Sequence, residues 1–386
     1  MEGDGGNIQS LNNKLVCAKC VGENDLIKFV HTHGRKSKCS YCKNRNAKVV
    51  NFYAFKEFIH KCIQQEYLDA EQESLPYEYI DKIYSSEELI IDVLGIPFNS
   101  LELQSDIIAS LGDGSWCHAC CMGMTPTQAH RYSWDTFISL VKHKCRHTLY
   151  SVPHALEYKS SKFIPAITFL TDLDDIIRTF NLYTSLPVGS TVFRARIHSV
   201  QEHLITAKSL GSVSAEKAIY ANRMSPAGIP MFYGAFNQKT AINEIYDAAS
   251  MKEKQIVTIG SFTLKRQLQC IDFSNVPTTW GFFSGLPMTK RHQLNFLYAF
   301  LEDFCKSIDK DKKQHIEYIP TQVVSEHIRY IHKGNNVSGI DGIIYPSSKN
   351  DNQNAIVIFC GNDDCVDKGD KGGLLELRCS QRRKLP

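Results

Sequence analysis

Four cysteines near the start of the chain have the spacing of a metal site. They form two C-x₂-C pairs with eighteen residues between the pairs: Cys17, Cys20, Cys39 and Cys42. Each pair supplies half of a tetrahedral shell, and a loop of this length folds back to bring the halves together. Zinc suits four thiolates because it requires only tetrahedral geometry and has no redox chemistry. We therefore predict a closed, structural Zn²⁺ site, with His31 and His33 of the intervening loop at the surface.

A second group of cysteine and histidine residues lies further along the chain. Cys117 and Cys120 make another C-x₂-C pair, and Cys145 and His147 are candidates to complete a mixed metal shell. No second pair matches the first, and core cysteines beside a helix explain the same pattern. Both interpretations stay open at this point.

Three residues in the second half of the chain have side chains suited to an anionic ligand that carries an aromatic group. They are Arg194, Tyr233 and Glu244. Arginine presents a planar fork of donors that fits phosphate, and tyrosine offers an aromatic face. Glutamate can stabilise the positive charge that develops on a sugar when its glycosidic bond breaks. Taken singly, each residue is more typical of an ordinary surface or core position, so the prediction depends on their joint occurrence.

The elements that must position these residues divide the chain into a helical part and a strand-rich part. Apolar residues at helical spacing predict helices over residues 52–62, 101–111, 134–144 and 171–181. Beyond Pro187 the residue types predict strands at 191–197, 256–259, 268–272, 342–345 and 355–359, with helices at 293–305 and 322–331. Arg194 then lies on a strand and Glu244 on a helix that opens at Thr240. The Gly-, Asp- and Lys-rich residues from Gly361 onward are expected to be loosely ordered.

The bulk properties limit the class of protein. A chain of 386 residues with 43% hydrophobic and 22% charged residues is typical of a globular protein with two or three units. It has no apolar run of the ~18 residues that a membrane span needs, and residues 1–10 do not resemble a signal peptide, so we expect a cytoplasmic protein without membrane contact. The net charge of +3 is too small to imply a nucleic-acid partner by itself. Six basic residues do cluster, and solvation of a surface explains most such runs: Arg35, Lys36, Lys38, Lys43, Arg45 and Lys48.

Residues from about 187 to 359 resemble the RES family, which is named for an arginine, a glutamate and a serine. The positions that match the family are Arg194 with Arg196 as the alternative, Arg223, Tyr233, Glu244, and Ser347 with Ser348 as the alternative. The run around the second arginine departs from the family's frequent Gly-Arg-[Trp/Phe]-Asn and leaves the contacts of Arg223 open. Residues from about 50 to 180, and the segment 318–326, resemble the branch of the family that carries a helical HEPN/RES N-terminal domain.

This resemblance implies an α+β protein with four segments. They are a zinc-ribbon head at 1–48, a helical HEPN/RES N-terminal domain at 49–182, a RES catalytic domain with an ADP-ribosyltransferase-like mixed sheet at 183–370, and a tail at 371–386. NAD⁺ is then a substrate, and the sequence has neither a P-loop nor a G-x-G-x-x-G for a bound dinucleotide cofactor.

The resemblance also implies the roles of the matched residues. Arg194 and Arg223, with Arg196, hold the phosphates and ribose, and Tyr233 stacks on the nicotinamide side. Glu244 stabilises the ribosyl cation, and Ser347 or Ser348 orients a ribose or the attacking group.

Three functions remain open on these residues. The family implies a toxin or anti-phage effector that hydrolyses or phosphorolyses NAD⁺, with an antitoxin or trigger protein and a homodimer as expected partners. An ADP-ribosyltransferase that modifies a protein or nucleic acid would share the same site. In the third interpretation, the zinc head and its basic residues bind nucleic acid and the second half is inert.

Overall fold

The structure is a computed structural model. It describes residues 11–71, 73, 82–120, 123–151, 168–246, 255–278, 281–306, 314–334, 339–350 and 353–384. By its internal contacts the chain forms two compact units, one of Met1–Gln128 with Thr278–Asn295 and the other of Ala129–Pro277 with Phe296–Pro386. The predicted segment boundaries at 48, 182 and 370 stay predictions.

The first unit contains a small antiparallel sheet in the order β1-β3-β2, formed by β1 (Leu15–Cys17), β2 (Arg35–Ser37) and β3 (Ala47–Asn51). Helix α1 (Asn24–His33) lies between the two cysteine pairs. It begins where Glu23 accepts a hydrogen bond from the Leu26 amide at 2.6 Å, which satisfies one of the free donors at a helix start. The remaining elements before Pro126 are a 3₁₀ turn at Ala18–Cys20, α2 (Phe52–Ile63), β4 (Tyr67–Asp69), α3 (Ser86–Glu88) with a π-helix at Leu89–Val93, α4 (Leu101–Leu111) and β5 (Trp116–His118).

The second unit is built on a nine-stranded mixed sheet with the order β13-β14-β9-β7-β8-β12-β11-β10-β6. Its strands are β6 (Tyr183–Leu186), β7 (Thr191–Ser199), β8 (Phe232–Ala235), β9 (Gln255–Leu264), β10 (Leu268–Asp272), β11 (Gly342–Pro346), β12 (Asn354–Ile358), β13 (Cys365–Asp367) and β14 (Leu375–Lys384). The described α-helices from Pro126 onward are α5 (Pro126–His143), α6 (Thr168–Thr179), α7 (Ala207–Leu210), α8 (Gln238–Ile245), α9 (Met288–Cys305), α10 (Gln314–Glu317) and α11 (Ile319–Tyr330). The predicted α+β class is confirmed, with the mixed sheet in the C-terminal half.

Both faces of the central strands are buried. Ile343 and Val357 lie in a cluster with Phe169, Phe296 and Phe300 of the helices. Their chain neighbours on the opposite face belong to a second cluster, with Ile344 of β11, Ile356 of β12, Phe232 of β8 and Phe262 of β9. Because successive side chains of a strand point to opposite faces, these strands are apolar at nearly every position, which made them easy to predict.

Residues 361–384 are ordered, which corrects the expectation that the chain from Gly361 onward is loose. β14 pairs with β9 from Leu375, opposite Leu264, to Lys384, opposite Ile256. Leu375 and Leu377 are buried and anchor the strand, although most of the following residues are exposed. The Gly-, Asp- and Lys-rich composition concealed this short apolar anchor.

No helix in the part of the chain that the structure describes has both the length and the apolar character needed to cross a membrane.

Candidate active site and metal centre

The four predicted metal-binding cysteines come together in the first unit. Their Sγ atoms all lie within 4.8 Å of one another. The Sγ atom of Cys17 lies 3.7 Å from that of Cys20 and 3.5 Å from that of Cys42, and Cys20 lies 3.7 Å from Cys39. Four sulfurs at Zn–S bond lengths in a tetrahedron are about 3.8 Å apart. The donor set therefore fits a tetrahedral thiolate-bound metal.

The environment of the cysteines suits a closed structural site. Cys17, Cys20 and Cys39 are buried and Cys42 is exposed. Burial raises the pKa of the Cys17 thiol to about 11 and also raises the pKa of Cys20, so a cation is needed to hold these two sulfurs as thiolates at neutral pH. His31 and His33 are exposed, as predicted. Among the described residues no second group of three or more potential metal ligands occurs, and Cys117 is buried beside Ala70 and Leu68.

A cavity of about 330 Å³ in the second unit brings together three of the predicted site residues. Arg194 reaches it from β7, Tyr233 from β8 and Glu244 from α8. These elements adjoin because β7 pairs with β8 and α8 follows β8 after a short turn. At that turn Asn237 accepts a hydrogen bond from the Thr240 amide at 2.8 Å, which starts the helix and fixes the direction of Glu244.

Among the described residues, the guanidinium of Arg194 has no anionic partner. Its Nη1 atom donates to the carbonyl oxygen of Tyr233 at 2.8 Å, and its buried Nε atom has no hydrogen-bond partner. Throughout the described ranges, the carboxylates that form ion pairs do so with other cations and none pairs with Arg194. Burial, and then the neighbouring Arg196, lower the pKa of Arg194 to about 9. A buried cation in this state favours an anionic ligand, because a negative charge would compensate the lost hydration.

The carboxylate of Glu244 is oriented by Ser347. The Ser347 hydroxyl donates to Oε1 of Glu244 at 2.5 Å, although the two residues are separated by 103 positions. Ser347 is buried, whereas Ser348 is exposed. Of the two alternatives, only Ser347 therefore contacts Glu244 in this structure.

Tyr233 is held by its hydroxyl and presents its ring to the cavity. The hydroxyl donates to Oγ of Ser225 at 2.9 Å and accepts from the Met224 amide at 3.2 Å. Burial raises the pKa of Tyr233 to about 12, so the phenol stays protonated at neutral pH. Since the hydroxyl is already engaged, the ring face is the part of Tyr233 that remains for a ligand.

Arg196 lines an adjoining, larger cavity of about 920 Å³ and is absent from the lining of the smaller one. Its Nη2 atom donates to the carbonyl oxygen of Gly211 at 2.5 Å. The two cavities share Arg194 and Lys217, while His198 and Lys208 line only the larger one. The larger cavity is therefore rich in basic side chains.

Arg223 lies beside the cavity rather than in its lining. Its guanidinium carbon is 5.9 Å from the ring centre of Tyr345, which does line the cavity. The backbone around Arg223 is fixed by α11, where Thr321 donates to the carbonyl oxygen of Arg223. Gln322 Nε2 donates to the carbonyl oxygens of Asn222 at 2.8 Å and Ser225 at 3.3 Å. The segment 318–326 thus braces the loop that carries Arg223, a role that the sequence did not reveal.

His327 of α11 takes part in a buried network. Asp174 Oδ2 lies 3.0 Å from Nε2 of His327, and its Oδ1 lies 2.5 Å from Nδ1 of His332. Tyr150 and Tyr183 contact the outer nitrogens of these imidazoles at 3.0 and 2.9 Å. Burial raises the pKa of Asp174, but the hydrogen bonds of the two histidines outweigh burial and lower it to about 2. The network packs helices α6 and α11 and does not line the cavity.

Two family models match the chain. Residues 32–155 match HEPN/RES N-terminal domain 1, and residues 191–377 match the RES domain. No curated protein and no solved structure shows a significant match. The RES match includes Arg194, Tyr233, Glu244 and Ser347, and a RES domain implies a function that involves NAD⁺. The chain therefore belongs to the RES family and carries an HEPN/RES N-terminal domain ahead of its RES domain.

Proposed function

We propose that this protein consumes NAD⁺ by breaking the bond between nicotinamide and ribose. The observation that carries the proposal is Arg194, a half-buried guanidinium that lines both cavities and forms no ion pair with a carboxylate among the described residues. A pyrophosphate would supply the missing negative charge in the geometry that a guanidinium prefers.

The two cavities have sizes that suit the two halves of a dinucleotide. Ligand sites commonly occupy about 300–1,000 Å³, and the cavities measure about 330 and 920 Å³. We propose that the smaller cavity holds nicotinamide and its ribose, with the ring of Tyr233 against the nicotinamide. The larger cavity, with Arg196, Lys208 and Lys217, would hold the rest of the dinucleotide. Arg194 lies where the two meet, which is where the pyrophosphate of a bound dinucleotide would lie.

The proposed reaction is a displacement at the anomeric carbon. The C–N bond to nicotinamide breaks and its electron pair leaves with nicotinamide, which becomes neutral. Positive charge then develops on the ribose, and the carboxylate of Glu244 stabilises it. Water attacks the anomeric carbon and releases a proton to give ADP-ribose, or inorganic phosphate attacks to give ADP-ribose 1-phosphate. The hydrogen bond from Ser347 keeps the carboxylate in one orientation, so it need not reorganise during the step.

The biological setting is proposed on the family resemblance. We propose a cytoplasmic toxin or defence effector, since NAD⁺ is an intracellular dinucleotide and its loss stops growth. An antitoxin or a trigger protein would control it, and a homodimer is the proposed assembly. Zinc is the proposed metal of the four-cysteine site, because the sulfur separations fit its tetrahedral thiolate coordination.

In the test, the full chain is incubated with NAD⁺, with and without inorganic phosphate. The nicotinamide that is released is measured by chromatography. Glu244→Gln keeps the size of the side chain and an acceptor for Ser347, but removes the negative charge. We expect release by the wild-type protein and a reduction of about 100- to 1,000-fold in the variant. The co-product distinguishes the acceptors: ADP-ribose indicates water, the 1-phosphate indicates phosphate, and ADP-ribose attached to a macromolecule indicates the alternative transferase. A protein that neither binds nor cleaves NAD⁺ would contradict the proposal.

A further inference from the structure

The charge of the chain is unevenly distributed. Residues 26–56 contain no aspartate or glutamate and eight basic residues, namely Lys28, Arg35, Lys36, Lys38, Lys43, Arg45, Lys48 and Lys56. Since the whole chain has a net charge of +3, the remaining residues carry a net negative charge. Six of the eight lie on β2, on β3 and on the turn between them. We refer to residues 35–48 as the basic hairpin.

The side chains of the basic hairpin are exposed and close together. All six of its basic residues are exposed to solvent. Lys36 and Lys48 are directly opposite each other on the antiparallel pair of β2 and β3, so their side chains leave the same face. Like charges directly opposite each other on a sheet destabilise it. The arrangement therefore has a cost in the isolated protein that a polyanion would remove.

No carboxylate within the described part of the first unit compensates these charges. The ion pairs there join Lys14 to Glu102 and Asp106, and Arg291 to Glu66. In the hairpin, Lys48 Nζ donates to the carbonyl oxygen of His31 at 3.1 Å, and Lys43 donates to the carbonyl oxygen of Ser40. These are local backbone contacts, and they leave the positive charges without a counter-ion from the protein.

Protection of a sheet edge explains only part of this pattern. β2 is an edge strand, and charged residues on an edge prevent pairing with other chains. That reason covers Arg35 and Lys36. It does not cover Lys48 on the central strand β3, nor Lys43 and Arg45 in the turn. The turn also contains Cys39 and Cys42 of the four-cysteine site, so the charges are presented on a rigid support.

We propose that the basic hairpin binds the phosphate backbone of a nucleic acid. A two-stranded ribbon fits the major groove of duplex DNA, and exposed lysine and arginine side chains neutralise phosphates. The exposed lysine and arginine side chains of the basic hairpin are suited to contact phosphates, and they show no arrangement for reading bases. We therefore expect binding to depend on charge more than on the base sequence of the nucleic acid. This proposal does not depend on the proposed function of the cavity.

The test is binding of the full chain to a fluorescein-labelled 20-base-pair DNA duplex and to a 20-nucleotide single-stranded RNA, by fluorescence anisotropy over a series of salt concentrations. The double variant Lys36→Ala/Lys48→Ala removes the opposed pair. The control Lys368→Ala/Lys371→Ala removes the same charge from exposed positions of the second unit. A further variant, Lys36→Gln/Lys38→Gln, spares the hydrogen bond of Lys48 to His31. Zinc content and melting temperature report whether each variant folds.

We expect salt-dependent binding to at least one of the two nucleic acids. Each hairpin double variant should bind roughly 10-fold more weakly, with the slope of log K against log salt reduced by about two, while the control binds as the wild type does. Which nucleic acid binds more tightly identifies the natural source of the phosphates. The proposal is overturned if the wild type binds neither, or if the hairpin variants and the control lose affinity equally. Binding to phosphatidylserine vesicles without binding to nucleic acid would also overturn it and indicate a lipid surface.

Discussion

The four-cysteine site and the arginine-lined cavity are both clusters of reactive side chains, but one is complete and the other is not. The cysteines supply four equivalent donors at the separations that one tetrahedral ion requires. Arg194 instead has a buried Nε atom without a hydrogen-bond partner, and it forms no ion pair with a carboxylate among the described residues. A complete donor set stabilises a fold, whereas an incomplete one is suited to bind a ligand. The buried network of Asp174 belongs with the complete sites, since both of its oxygens are engaged.

The largest expected effect concerns the complete site. Removal of the proposed metal by a strong chelator, or Cys39→Ala, should unfold the sheet of β1 to β3, because metal binding contributes on the order of 10 kcal/mol in small zinc domains. Hydrogen exchange of residues 15–51 measures this directly, and Cys379→Ala, at an exposed cysteine outside the cluster, is the matched control. Unchanged protection after metal removal would show that the four cysteines do not form a structural site.

The next effect concerns the incomplete site. Arg194→Met should lower kcat/KM for NAD⁺ about 100-fold, because the pyrophosphate loses a charged partner worth roughly 3 kcal/mol. The melting temperature should stay the same or rise, since replacing an unpaired buried charge with an apolar side chain removes its desolvation cost. A variant that melts much earlier but keeps its kcat/KM would show instead that Arg194 serves the fold.

The Asp174 network should affect stability at acid pH and not the chemistry. The pKa of Asp174 is lowered to about 2 in the folded protein, so its contribution is present above the usual aspartate pKa and is lost as pH falls toward 2. The lowering corresponds to about 2 kcal/mol at neutral pH. Urea unfolding at pH 7 and pH 3 should show a loss in the wild type that is smaller in Asp174→Asn. Equal losses of unfolding free energy in both proteins would show that the ionised Asp174 does not stabilise the fold.

The smallest expected effect concerns the brace of the Arg223 loop. Gln322→Met keeps the size of the side chain but removes its hydrogen bonds to the carbonyl oxygens of Asn222 and Ser225. We expect kcat/KM to fall about 10-fold, since a displaced loop misplaces groups around the cavity. Gln322→Glu should be worse, because a carboxylate repels both carbonyls. If kcat/KM stays normal in both variants while stability falls, the contacts only support the fold.

The sequence predicted the complete site better than the incomplete one. Paired cysteine spacing is a local signal, and it identified all four cysteines that come together in the structure, although it did not predict helix α1 between the pairs. The apolar strands β11 and β12 were also predictable, because burial on both faces leaves continuous apolar runs.

The residues around the cavity come from distant parts of the chain. The hydrogen bond of Ser347 to Glu244 spans 103 positions, and that of Gln322 to Asn222 spans 100. The periodicity of apolar residues in a sequence does not indicate such long-range contacts. The resemblance to the RES family supplied the candidate residues instead. Tyr345 lay in a predicted strand, yet its place in the lining of the cavity depends on the pairing of β11 with β12.

The central claim is that the negative charge of Glu244 acts on an NAD⁺ molecule held by Arg194. The most direct measurement is single-turnover release of nicotinamide from saturating NAD⁺ by the wild type and by Glu244→Gln, with NAD⁺ affinity of the variant measured by calorimetry. We predict that the variant binds NAD⁺ but releases nicotinamide about 100- to 1,000-fold more slowly. Release at the wild-type rate by a folded Glu244→Gln protein would contradict the account.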